Sequence, residues 1–153
     1  MSNEMKDWLL EEVEEDRLNN EFCKLHPWAQ ARNFQGEPIS GTNMLEDFLE
    51  GWRKAFGDSF VKEMDAAYAT LPDDEKKDFY FVQVKEKYGR LTIYPTYYND
   101  EISAVLSKYE DLSWETCCEC GAPTKLHTTG YITPLCQKCA DKLGLNVKSS
   151  VSL

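Results

Sequence analysis

Cys117, Cys120, Cys136 and Cys139 follow the spacing C-x2-C-x15-C-x2-C. Four thiolates so spaced can surround one Zn²⁺ tetrahedrally. A closed set of four sulfurs leaves no coordination position for water or substrate, so the expected role of the metal is structural. Gly121, directly after Cys120, supplies the tight turn that lets backbone N–H groups point at sulfur. A segment this small has little core, and the metal would supply its folding energy, about 10–16 kcal/mol of apparent binding in zinc-finger peptides. Cys118 adds a further thiol, but Cys118-Glu119-Cys120 is too short a spacing for a knuckle, and its side chain is expected to point away. His127 is the weaker alternative ligand and is expected at the surface of a hairpin. Cys23 and His26 lie three residues apart; two ligands do not hold a metal tightly, and both read as ordinary side chains.

Several elements must position these cysteines. Residues 4–18 read as a helix, with Met5, Trp8, Leu9 and Val13 as a rough apolar stripe among acids. The stripe is expected to pack through Trp8 and Leu9 beneath a solvated acidic face; the sharper alternative offers that face to a basic partner. Residues 19–42, punctuated by Pro27, Gly36, Pro38 and Gly41, read as a long connection. Asn43 can cap the helix that follows, in which Met44, Leu45, Phe48, Leu49, Trp52 and Phe56 recur at helical spacing and Phe60, Val61, Met64, Tyr68 and Leu71 continue to Pro72. This is the expected spine of the core. Residues 79–85 and 90–94 read as a β-hairpin around Gly89, which must pack on helices to be stable. Asn99 caps a helix whose stripe is Ile102, Val105, Leu106, Tyr109 and Leu112, and this helix leads into Cys117. Residues 125–128 and 131–135 can pair as a short hairpin between the two cysteine pairs, which is the plan of a zinc ribbon.

The expected class is therefore α+β: a helical N-terminal part packed on a small β-hairpin over residues 1–114, a zinc-ribbon module over 115–145, and a flexible tail over 146–153. The composition, 42% hydrophobic and 12% aromatic, is that of a globular chain. No apolar run of membrane-spanning length occurs, and the polar, acidic first residues lack the order of a signal peptide. A cytoplasmic location is expected, where six cysteines point to metal before disulfides. The formal net charge is −10. Residues 1–78 carry 19 Asp/Glu against 9 Lys/Arg, while residues 79–153 carry 8 against 8. An acidic half of this kind argues against general nucleic-acid binding, because it repels phosphate. No P-loop, G-x-S-x-G, H-E-x-x-H or dinucleotide fingerprint occurs.

The stretch Val82-Gln83-Val84-Lys85-Glu86-Lys87-Tyr88-Gly89-Arg90-Leu91-Thr92-Ile93-Tyr94 comes before Thr116-Cys117-Cys118-Glu119-Cys120-Gly121-Ala122-Pro123 and Gly130-Tyr131-Ile132-Thr133-Pro134-Leu135-Cys136. Together they resemble a family of small phage, prophage and bacterial proteins with a VQVKEKYG-type hairpin followed by a four-cysteine zinc ribbon. Gly51-Trp52 resembles the Gly-Trp that opens that family's long helix, and the likeness spans residues 50–140. Pro134, and Cys118 where the family has a non-cysteine residue, are the departures. The resemblance implies this fold and a phage-linked setting; it implies no activity.

Two functions from different classes are expected. The first is a non-enzymatic phage accessory or counter-defence protein that binds a host or defence protein, with Zn²⁺ as a structural cofactor and the acidic half steering it to a basic partner. The alternative is a nucleic-acid-binding zinc-ribbon protein that uses the hairpin tip, where Lys85, Lys87, Tyr88 and Arg90 combine charge with stacking.

Overall fold

The computed structural model describes residues 2–149. Helix α1 (Asn3–Leu25) is followed by the hairpin β1 (Gln30–Arg32) and β2 (Pro38–Asn43), then by the long helix α2 (Glu50–Ala69) and the single turn α3 (Asp73–Lys76). A second hairpin, β3 (Phe81–Lys87) and β4 (Arg90–Pro95), leads to α4 (Asp100–Trp114). The C-terminal part holds β5 (Leu126–Thr128), α5 (Gln137–Leu143) and β6 (Val147–Ser149). The strands form three separate antiparallel pairs, β1-β2, β3-β4 and β5-β6. Helices around small antiparallel pairs make the class α+β, as the sequence pattern implied.

The core is organised on α2. Trp52, Phe56, Phe60 and Met64 recur every fourth residue on one face and are buried. The Phe60 ring is the hub. It meets Trp28, Phe48, Phe81 and Tyr109 at centroid distances of 5.8, 5.2, 6.2 and 5.2 Å, which ties the turn between α1 and β1, the segment before α2, the β3-β4 hairpin and α4 to one side chain. The 3-10 turn Met44–Asp47 precedes α2 instead of forming its first turn; Asn43 caps it by accepting from the Leu45 amide at 2.9 Å. Helix α4 closes the open edge of β4. The outward amides of Leu91 and Ile93 donate to Ser113 Oγ at 2.8 Å and to Glu110 Oε2 at 3.4 Å, so the hairpin's edge is satisfied by a helix.

Three sequence expectations change. Residues 19–42 are not an irregular connection: α1 continues to Leu25, and the rest holds a 3-10 turn and the β1-β2 hairpin. The cause is a polar packing surface. Asn19 donates to the Gly41 carbonyl at 2.9 Å and to Glu46 Oε1 at 2.7 Å, Asn20 Oδ1 accepts from the Gly41 amide at 2.7 Å, and Asn43 donates to Asn19 Oδ1 at 2.8 Å. Apolar periodicity is silent on such contacts. Second, the apolar stripe of α1 does not pack through Trp8 and Leu9. The helix meets β2 only through its C-terminal half, and the N-terminal half projects beyond the body with Trp8 61%, Leu10 67% and Val13 66% exposed. Third, residues 147–149, expected in a flexible tail, form β6, pairing Leu126 with Ser149, His127 with Lys148 and Thr128 with Val147. Residues 150–153 of that expected tail lie outside the described residues.

Candidate metal centre and its supports

The sulfurs of Cys117, Cys120, Cys136 and Cys139 all lie within 4.8 Å of one another. Among the described residues this is the one group of three or more Cys, His, Asp or Glu side chains so gathered. Metal–thiolate bonds of about 2.3 Å in a tetrahedron put the sulfurs about 3.8 Å apart, and Cys120 Sγ and Cys136 Sγ are 3.7 Å apart. The set therefore fits a metal ion.

Local backbone builds the first pair. Cys117 comes three residues after the end of α4, its amide donates to the Ala122 carbonyl at 2.8 Å, and the Gly121 amide returns to the Cys117 carbonyl at 3.0 Å. Gly121 takes a positive φ of 83° to make this turn. The second pair opens α5: Cys136 is its N-cap and its sulfur accepts from the Cys139 amide at 3.5 Å. The strands between complete the ribbon. The Thr128 amide donates to the Thr133 carbonyl at 2.9 Å and the Leu135 amide to the Leu126 carbonyl at 3.1 Å. The expected pairing of 125–128 with 131–135 thus exists, and β6 extends it on the other side of β5.

Electrostatics separates the thiols. Burial pushes Cys117 up, but hydrogen bonds from the backbone at Cys120, Cys136 and Glu119 outweigh it and bring the thiol down to about 7. Cys139 is pushed up to about 12, first by its hydrogen bond with the Cys136 sulfur. One thiol lowered and another raised is the behaviour of crowded sulfurs competing for protons, which a cation displaces. Cys118 stands outside the group, as its spacing implied. Burial, then the charge of Cys117, pushes it up to about 12. Its backbone is used instead: the Cys118 amide donates to the Pro134 carbonyl at 3.0 Å, and its carbonyl accepts from the Gly51 amide at 2.8 Å.

That last bond shows what the sequence pattern did not reach. The cysteine segment sits on the first turn of α2 as well as on the end of α4. A Cβ at Gly51 would fall 2.1 Å from the Cys117 carbonyl oxygen, and a Cβ at Gly121 would fall 2.7 Å from the Gly51 carbonyl oxygen. The two glycines let two backbones touch. Beside them Trp52 Nε1 donates to the Thr116 carbonyl at 3.0 Å, fully buried. The Gly-Trp pair was visible in the sequence, but its use in seating the cysteine turn is a property of the tertiary contact.

His127 is neither a ligand nor a surface residue. It is 2% exposed, its ring stacks on Trp114 at 3.6 Å, and its Nε2 donates to the Trp114 carbonyl at 2.8 Å. Burial holds its pKa below the usual histidine value; the carbonyl bond opposes this and the Arg90 charge adds to it. Cys23 is buried, and His26 Nδ1 lies 2.8 Å from Asp65 Oδ1, which also accepts from Trp28 Nε1 at 2.8 Å. These are structural contacts, as read. Asp65, which joins α2 to the turn after α1, carried no sequence signal because a lone Asp in an acidic helix is unremarkable by pattern.

The hairpin-tip residues divide. The register pairs Lys87 with Arg90 and Lys85 with Thr92, so Lys85, Lys87 and Arg90 share one face of the ladder. Arg90 is engaged: it pairs with Asp111 at 2.7 Å and its guanidinium lies 5.4 Å from the Trp114 ring centroid. Lys85 Nζ lies 5.4 Å from the Tyr94 ring centroid, while Lys87 is exposed and Tyr88 is 75% exposed. Tyr88 and Gly89 both take positive φ, 52° and 84°, forming a two-residue turn that suits the strand twist. The tip is moored to the ribbon, because Tyr131 donates to Glu86 Oε2 at 2.6 Å. No helix among the described residues is long and apolar enough to cross a membrane. A scan against protein-family models, a search of curated proteins and a search of solved structures each return no match for this chain.

Proposed function

We propose that this protein binds another protein without catalysing a reaction, and that its cysteine cluster holds a structural Zn²⁺. Zinc is favoured because four thiolates form a closed, soft tetrahedral set. Within the phage-linked setting that the resemblance implies, the partner is a host or defence protein. The observation that carries the reading is the projecting half of α1, where Met5, Trp8, Leu10 and Val13 are exposed on a helix that the fold leaves uncovered. Large side chains held in water on a preformed helix cost solubility and are kept where a partner covers them. Affinity capture with the full chain and with a chain lacking residues 2–14 tests this. A partner held by the first and lost by the second is the expected result; identical partners on both would sink the reading.

A second reading has its own observation. Lys85, Lys87 and Arg90 share a face with the exposed Tyr94, an arrangement that suits single-stranded nucleic acid through charge and stacking. It predicts binding of a single-stranded oligonucleotide that weakens steeply with salt and is lost when Lys85 and Lys87 become Ala. The Asp111 pairing of Arg90 and the net charge of −10 weigh against it.

A further inference from the structure

We propose that residues 3–15 of α1 dock on a basic amphipathic surface of the partner, an apolar strip bordered by Lys and Arg; this rests on the protein-binding reading and names the partner's chemistry. At 3.6 residues per turn, Met5, Leu9, Val13 and Leu10 occupy one arc of the helix. Asp7, Glu11, Glu4 and Glu15 occupy the opposite arc, Glu12 and Glu14 flank the apolar arc on its two sides, Lys6 falls within it between Val13 and Leu10, and Trp8 stands between Glu15 and Glu12. The apolar residues lead the argument, because they are exposed on a helix whose continuation, at Asn19 and Cys23, is buried against β2. The same rod is thus anchored at one end and uncovered at the other. The uncovered part spans about 20 Å at 1.5 Å per residue, long enough for three turns of contact. It is already ordered: Ser2 Oγ accepts from the Met5 amide at 3.2 Å as the N-cap, so binding spends little on folding it.

Charge selects among occupants. Residues 3–15 hold six acids and a single base, Lys6; Asp16, the next acid, lies against Gly41 of β2. The base at the root of the arm, Arg17, is held by Glu14 and Glu21 within the helix. A second copy would set one such acidic arm beside another, which like-charge repulsion opposes. Nucleic acid and anionic membrane are opposed for the same reason. A protein surface with an apolar strip and cationic borders meets the apolar arc and the flanking Glu12 and Glu14, with the aliphatic residues as anchors, Trp8 reaching in from beside Glu12, and the remaining acids accelerating the encounter.

The test uses the full chain and three labelled helical peptides of about 18 residues: one with a Leu stripe bordered by Lys, one with the stripe bordered by Glu, and one with Lys but Ser in place of Leu. Fluorescence anisotropy is read at about 50 mM and about 500 mM salt, across which screening removes most long-range attraction. The Leu/Lys peptide is expected to bind at least ~10-fold tighter than the other two and to weaken at high salt. Trp8→Ala with Val13→Ser should weaken it a further ~10-fold with unchanged thermal unfolding, since both side chains are exposed. Equal binding of the Ser/Lys or Leu/Glu peptide, or binding untouched by the double variant, overturns the proposal. So does concentration-dependent self-association that the double variant abolishes, which would make a second copy the occupant. The broader reading fails separately: if a captured partner depends on Trp8 but presents an acidic or neutral surface, protein binding stands and the basic chemistry falls.

Discussion

A methyl group at Gly51 would lie 2.1 Å from the Cys117 carbonyl oxygen, and the atoms it meets are backbone, which cannot swing aside. Gly51→Ala is therefore expected to push the cysteine turn off α2 and to destabilise by about 2–4 kcal/mol, the range of strain and lost buried contacts. Gly57 provides the control. A Cβ there meets only Arg53 Cγ at 3.5 Å, an ordinary contact. Gly57→Ala should stabilise by about 0.5–1 kcal/mol, since glycine is a poor residue in a helix interior. Denaturant unfolding of both variants decides, and equal effects would refute the account. His127 adds a pH dependence. Its pKa in the fold lies below its ordinary value of 6.5 because burial disfavours the cation. The unfolded chain then binds more protons, so the contribution is full above about pH 6.5 and is lost as pH falls below it. His127→Gln should flatten the stability–pH slope below about pH 6.5 relative to wild type. Acid sensitivity of the thiolates is common to both proteins, so the difference reports the imidazole.

At the scale of elements, α1 and α2 do opposite jobs. Helix α2 is bound on most of one face, and Phe60 at its middle contacts four other rings. Phe60→Ala should cost about 3–5 kcal/mol, measured by denaturant unfolding, because no neighbour can collapse into the space without leaving its own partner. The first turns of α1 carry no such load. Deleting residues 2–14 should change the unfolding free energy by less than about 1 kcal/mol, since the side chains removed are largely exposed. A large loss there would show that the projecting arm packs on the body. Both helices display aromatic and aliphatic residues at helical spacing in the sequence. Periodicity reports an apolar face; it does not report whether another element of the same chain reaches it.

Across the whole molecule the cysteine segment and the helical part share backbone bonds. Gly51 bonds Cys118, Trp52 bonds Thr116, and the β3-β4 tip bonds Tyr131 through Glu86. Chelation should therefore do more than release residues 115–149. Hydrogen exchange should show lost protection over residues 115–149 together with the first turn of α2 and the β3-β4 tip, while the middle of α2 around Phe60 keeps its protection. Loss confined to the C-terminal residues would instead describe an independent module joined at Trp114.

The sequence by itself determined what is local. Four cysteines at knuckle spacing, an aromatic run every fourth residue, Asn43 and Asn99 before their helical segments, and Gly89 in a two-residue turn each act through neighbours a few residues away. Such signals survive in one dimension, and with them the α+β class and the cysteine cluster were legible. Contacts between distant segments were not. Asn19 and Asn20 look like helix breakers until Gly41, Asn43 and Glu46 arrive to bond them. His127 looks like a solvated hairpin residue until Trp114 covers its ring. Trp8 and Leu9 look like core until the body is seen to stop short of them. Burial is a property of what the rest of the chain brings close, so only the tertiary structure could decide which apolar face became core and which was left exposed.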